Sequence, residues 1–126
     1  MFQLSLTEAK KIVDQLNFKR NGLIVAVAQD AVTSQILMVA FADKEAITKS
    51  LTSGMAHYWS TERKQLWKKG ETSGNFQYIE DVYVDCDLDA VVYRVKQVNG
   101  ACHMGYKSCF FRKVEKGKLE ITEESK

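Results

Sequence analysis

Two β-like runs placed back to back, with an acidic segment between them, constrain this chain more than any other feature. Residues 76–84 alternate apolar and polar side chains, AVVYRVKQV (90–98) does so again, and VDCDLDA (84–90) joins the two. Alternation with period two marks half-buried strands. Asp85, Asp87 and Asp89 fall at every second position, so on a straight strand they share one face while Cys86 and Leu88 take the other. At roughly 3.3 Å per residue a straight strand puts Asp85 about 13 Å from Asp89, too far for both to touch one cation at about 2 Å. One ion on all three carboxylates therefore requires a bend near Leu88. Strands are poor in aspartate and neighbouring carboxylates repel, so a cation relieves a destabilising cluster. The competing reading is a solvated acidic edge. An EF-hand loop fails, because its sixth position is Ala90 instead of Gly and its twelfth is Lys96 instead of Glu. A magnesium-type site with few protein ligands, water and phosphate remains.

The rest of the chain supplies short elements around these strands. Ser5 and Glu8 form a capping-box pattern, followed by Ala9, Ile12, Val13 and Leu16 at helical spacing up to the Asn21-Gly22 turn. Asp43 is placed to cap a second helix, KEAITKSLTS, with Gly54 at its stop position. LIVAVAQ (23–29) and QILMVAF (35–41) read as a hairpin, MAHYWS and KQLWK as further strands, and FFRKVEKGKLEIT (110–122) as a last hairpin. Two short helices among about seven strands, without regular βαβ units, predict an α+β fold with mostly antiparallel sheet.

With 126 residues, 45% hydrophobic and 27% charged, and neither proline nor repeat to mark a linker, residues 1–126 are expected to form one domain. A net charge of +2 gives no broad attraction to nucleic acid or to an anionic membrane, so any anionic ligand needs a local site. No run approaches the roughly 18 apolar residues of a membrane span, and MFQLSLTEAKKIV meets charge too early for a signal peptide. The chain is expected to be cytoplasmic. The three cysteines, an odd number in such a chain, then point to metal binding or burial and away from a disulfide framework.

Cys102 and Cys109 flank Gly105 in GACHMGYKSCFF (100–111), and with Cys86 they make three soft thiol ligands of the type zinc prefers. His103 can close the set at four, but it adjoins Cys102 in sequence and adjacent side chains diverge. Three thiolates with an open position for water fit better, and that is the catalytic type of zinc site. Plain buried cysteines are the alternative, and His57 in MAHYWS reads equally well as packing. LWKKGETSGN (66–75) brackets a Thr-Ser pair with glycines behind two lysines. Such a loop can offer backbone N–H groups, hydroxyls and an ammonium to phosphate, or be an ordinary hairpin loop. Trp67 stacks on a base or fills the core.

LWKKGETSGN, VDCDLDA and GACHMGYKSCFFR, in this order and spacing, resemble the signatures of the phosphoribosyl-AMP cyclohydrolase family of histidine biosynthesis, over about Gly22 to Arg112. The resemblance implies an enzyme that opens the adenine ring of N1-(5-phosphoribosyl)-AMP at the N1–C6 bond, giving the formimino carboxamide ribotide. It also implies zinc on Cys86, Cys102 and Cys109, magnesium on Asp85, Asp87 and Asp89, and an intertwined homodimer that draws its zinc ligands from both subunits. His103 becomes the candidate for proton transfer, and Trp67, Lys69, Thr72, Ser73 and Arg112 the candidates for substrate contacts. Thr61 and Tyr106 stand where many members carry arginines, so the phosphate contacts there differ from the family pattern. Members are often fused to a pyrophosphohydrolase domain; a chain ending at Lys126 is expected to perform the cyclohydrolase step alone.

Two other readings compete. A nucleobase deaminase also directs zinc-activated water at a purine C6, but it needs H-x-E and P-C-x-x-C, and this chain has no proline and no C-x-x-C. A non-catalytic zinc-stapled dimer is the other, with His103 closing the site and the aspartates facing solvent.

Overall fold

The computed structural model describes residues 2–123. Helix α1 (Leu6–Val13) opens with the expected capping box: Ser5 Oγ accepts the Glu8 N–H, and the Glu8 carboxylate accepts the Ser5 N–H. It ends earlier than the apolar spacing suggests. Gln15 and Leu16 donate to carbonyls three residues back, tightening the chain into a final turn, and Asn17 N–H then bonds Leu88 O at 2.8 Å. Leu16 still packs against the core from beyond the helix. Helix α2 (Lys44–Ser53) begins on Asp43, whose carboxylate accepts the Ala46 N–H, and stops at Gly54 in the left-handed conformation (φ 73°).

The strands are β1 (Ile24–Asp30), β2 (Ile36–Ala42), β3 (His57–Ser60), β4 (Gln65–Lys68), β5 (Gln77–Val84) and β6 (Ala90–Gln97), with a separate hairpin of β7 (Arg112–Glu115) and β8 (Lys118–Ile121). The six-stranded sheet has the order β4-β3-β2-β1-β6-β5. All its pairs are antiparallel except β1 with β6, so the fold is α+β with mostly antiparallel sheet. The sheet curls: the segment ahead of β3 bonds the start of β5 through a Met55–Tyr78 bridge, Ala56 N to Gln77 O and Ile79 N to Gly54 O.

Alternation decides which side is core. Ile24, Ala26, Ala28, Val91, Tyr93 and Val95 point inward and are buried with Ala9 and Val13 of α1 and Ala46, Ile47 and Leu51 of α2. The opposite side keeps Val39, Phe41 and Tyr83 exposed, an uncovered apolar surface on the outer face of the sheet.

Candidate metal centres and active site

The bend demanded by the aspartate spacing is present, and it starts before Leu88. Strand β5 ends at Val84, Asp85 to Asp89 form the tip of the β5–β6 hairpin, and Leu88 takes the left-handed region at φ 64°. That conformation is uncommon for a leucine. Asp85 fastens the tip, its carboxylate accepting the N–H groups of Asp89 at 3.0 Å and Ala90 at 3.1 Å. The result gathers one oxygen from each of Asp85, Asp87 and Asp89 within 4.8 Å of one another, the one such group of three or more metal-competent side chains among the described residues. Hard carboxylate oxygens at that separation could hold a divalent cation.

Lys19 also reaches this cluster, 3.1 Å from Asp89 and 3.9 Å from Asp87. The Lys19 ammonium, followed by the Asp87 side chain, holds the Asp89 carboxyl below the usual carboxylate range. Hydrogen bonding to Asp89 and then to Asp85 pushes the Asp87 carboxyl up. The Lys19 ammonium thus offsets part of the repulsion among the carboxylates. No local signal marks Lys19, which lies about seventy positions from its partners and meets them only because Asn17 is pinned to Leu88.

The cysteines divide. Cys102 is buried, Cys109 is exposed, and the two thiols lie close enough to hydrogen bond. Partial burial pushes the Cys109 thiol up to about 11, with the neighbouring Cys102 adding to the effect. Cys86 sits exposed on the aspartate hairpin, and β6 runs between that hairpin and the cysteine loop. An eight-residue strand spans about 20 Å or more at roughly 3.3 Å per residue. Within one chain the thiols therefore form a pair and a distant single, and a soft metal on the pair needs further ligands from elsewhere.

Residues 98–112 hold the thiol pair against the end of the sheet. Cys109 N–H donates to Leu37 O at 2.7 Å, and the buried Ser108 hydroxyl donates to Ile36 O at 2.6 Å. Ser108 N–H bonds the Glu123 carboxylate, and Lys107 pairs with Asp30 at 3.1 Å. Tyr106 stacks on Phe111 with ring centres 3.7 Å apart. His103 is exposed on the turn after Cys102, and Arg112 lies over the Phe111 ring at 4.2 Å.

The glycine-bracketed loop lies beside this pair. A cavity of about 350 Å³ is lined by Arg63 and Trp67 to Ser73. Thr72 and Ser73 are exposed in it, while half-buried Trp67 packs on Tyr58 at 5.0 Å between ring centres, so it both fills the core and borders the opening. Gly70 has φ 92°, and a Cβ there would stand 2.5 Å from the Phe76 nitrogen, which is why the loop needs glycine at that turn. Lys69 points out of the loop: its ammonium donates to Ala101 O, next to Cys102. Burial pushes that ammonium's pKa down, and the Cys109 and Cys102 thiols oppose the shift. A buried relay joins the two loops, Tyr58 to Gln77 to Gln97 at 2.5 and 2.8 Å, with Gln97 Nε2 donating to Asn75 O at 3.1 Å and to Gly100 O at 3.5 Å. Sequence reading missed Gln77 and Gln97 because a polar side chain in an alternating strand looks solvent-facing.

His57 is buried, its N–H on Ser50 Oγ and its Nδ1 on Met55 O, both at 2.8 Å. Burial pushes its pKa down and the Met55 carbonyl opposes this, as expected of a packed imidazole.

Of the three signature stretches, the structure brings the glycine loop and the cysteine loop together and places the aspartate hairpin at the far end of β6. Comparison with known proteins gives this arrangement a context. The family model for phosphoribosyl-AMP cyclohydrolase matches residues 38–111. The phosphoribosyl-AMP cyclohydrolase of Methanothermobacter thermautotrophicus is 52% identical over 114 residues, covering 87% of this chain and 83% of that protein. That of Methanococcoides burtonii is 50% identical over 103 residues, 82% and 85% of the two chains, and that of Ignicoccus hospitalis is 48% identical over 127 residues, 99% and 98%. Similarity of this extent takes in the loops at both ends of β6 as well as the sheet between them, and it places the chain in the phosphoribosyl-AMP cyclohydrolase family.

Proposed function

We propose that this chain hydrolyses the N1–C6 bond of N1-(5-phosphoribosyl)-AMP, the third step of histidine biosynthesis, as a single-domain cytoplasmic enzyme working as an intertwined homodimer. The observation that carries the reading is the Cys102–Cys109 thiol pair beside the Trp67–Ser73 cavity, a soft-metal corner next to an opening large enough for a small molecule. Zinc bound by Cys102 and Cys109 with Cys86 of the partner subunit would supply a Lewis acid that activates water at neutral pH. The separation of Cys86 from the pair supports ligands shared between copies, and the uncovered Val39, Phe41 and Tyr83 face offers a surface for the second copy.

The chain's own residues do the rest. Trp67 borders the purine position, Thr72 and Ser73, with Arg112, hold the phosphates, and Lys69 contacts the substrate from the thiol side of the cavity. Asp85, Asp87 and Asp89 would hold magnesium and so supply positive charge for a phosphate group; their hairpin also carries Cys86, so the tip that serves this cavity would come from the other copy. His103, exposed on the turn beside Cys102, moves protons: the adduct at C6 must pass one to N1 before the bond breaks.

The deciding experiment is a spectroscopic assay of the purified protein on phosphoribosyl-AMP, with and without chelator. Turnover that chelation removes and zinc restores is the expected result. Absence of turnover in zinc- and magnesium-loaded protein overturns the reading.

A further inference from the structure

Lys69 belongs to the glycine loop by sequence, yet its ammonium leaves that loop and reaches the cysteine loop, donating to Ala101 O. The Trp67 ring lies 5.9 Å from the same ammonium, and the side chain also borders the Trp67–Ser73 cavity. The two loops are joined at a second point where Asn99 Nδ2 donates to Asn75 Oδ1 at 3.1 Å. The position of the ammonium is therefore set by both loops. A lysine held for a phosphate alone would have no need of a carbonyl partner one residue from a thiol.

We propose that Lys69 is a catalytic cation, with its ammonium donating a hydrogen bond to the oxygen added at C6 of the purine. This rests on the cyclohydrolase reading and refines it. In the hydrolysis one water is consumed: its oxygen bonds C6, the C6–N1 bond breaks with its electron pair going to N1, and the oxygen ends as the carboxamide carbonyl. One water proton finishes on N1 and the other on the exocyclic nitrogen. As the added oxygen gives up its proton it gathers negative charge, and a positive donor already in place beside it lowers that barrier. The ammonium is fixed on the carbonyl of Ala101, the residue before Cys102, and the side chain borders the cavity, so the ammonium and the metal ligands share one corner. Two of its donor hydrogens remain after the Ala101 bond.

The test is steady-state kinetics of Lys69→Met and Lys69→Arg on phosphoribosyl-AMP, together with zinc content and product affinity by calorimetry. Lys69→Met is expected to lower kcat roughly a hundredfold, with KM and product affinity within about threefold and zinc retained; Lys69→Arg recovers part of kcat. A rise in KM with kcat preserved makes Lys69 a phosphate contact and overturns the proposal. Loss of zinc in the folded variant also overturns it, since Lys69 would then be supporting the thiols. If Lys69→Met does not fold, Lys69→Gln gives the same split. Wild-type turnover with an unimpaired Lys69→Met sinks this proposal alone, whereas an inactive wild type sinks the cyclohydrolase reading.

Discussion

The carboxylate of Asp85 accepts the backbone N–H of Asp89 at 3.0 Å, and this contact turns the hairpin tip into a pocket of oxygens. Asp85 thus has a structural duty that Asp87 lacks. Asp87 is exposed and makes its contacts through its two neighbours and Lys19. Asp87→Asn should abolish magnesium dependence while leaving thiol-bound zinc and melting temperature in place, and Asp85→Ala should lose magnesium and lower stability as well. Atomic absorption and thermal melts separate the two variants. Equal loss of both metals in Asp87→Asn would mean one shared site.

Removal of a thiol from the pair tests the zinc assignment. Cys102→Ser should lose both zinc retention and turnover; full activity in a zinc-free preparation of that variant would remove zinc from the account. The Cys109 thiol, pushed up to about 11, is protonated at neutral pH in the metal-free fold. Metal binding must release that proton, so zinc affinity should rise with pH from 6 to 9. A competition titration that is flat across this range contradicts the assignment.

Sharing of ligands between copies has a genetic signature. Cys86→Ser and Cys102→Ser, each inactive alone, should recover activity when refolded together in equal amounts. Half of a random mixture is heterodimer with one intact site of two, so about a quarter of wild-type activity is expected. No recovery would place all three thiols on one chain, against the span of β6.

Much of this architecture was legible because its signals are local. Ser5 with Glu8 and Asp43 with Gly54 mark helix ends through contacts three or four residues apart, and period-two alternation locates β1, β5 and β6. Even the bend at Leu88 follows from the reach of three carboxylates, although the strand stops earlier, at Val84, than a straight reading to Asp89 assumes. Contacts between distant segments left no trace: Lys19 reaches Asp89 where Asn17 is bonded to Leu88, Gln77 faces Gln97 across the β5–β6 pairing, and Lys69 meets Ala101 where the two loops come together. The length of α1 was overread because Leu16 is apolar for the core's sake while its backbone has already left the helix.

Lys107 and Asp30 offer a pH test away from any proposed metal ligand cluster's oxygen atoms. Burial pushes the Asp30 carboxyl up, but the N–H groups of Thr33 and Val32 and the Lys107 ammonium outweigh it and leave the group below its ordinary range. A carboxyl lowered in the folded state contributes stability that is complete above its unfolded value and disappears as pH falls through the folded one. Stability should therefore fall below about pH 4, and Asp30→Asn, which keeps the two N–H contacts, should cost roughly 1 kcal/mol at pH 7 and flatten that acid limb. Denaturant melts from pH 3 to 7 check it; an unchanged acid limb in the variant would show that other carboxyls govern it.

The length of β6 sets a rule for how such a centre arises. An extended β6 holds Cys86 away from Cys102 and Cys109 within one chain. On the proposed shared site, a centre that uses all three thiols appears on encounter between two chains, and its abundance in dilute solution scales with the square of the concentration of free chains. Dilution would then silence the chemistry without unfolding the protein.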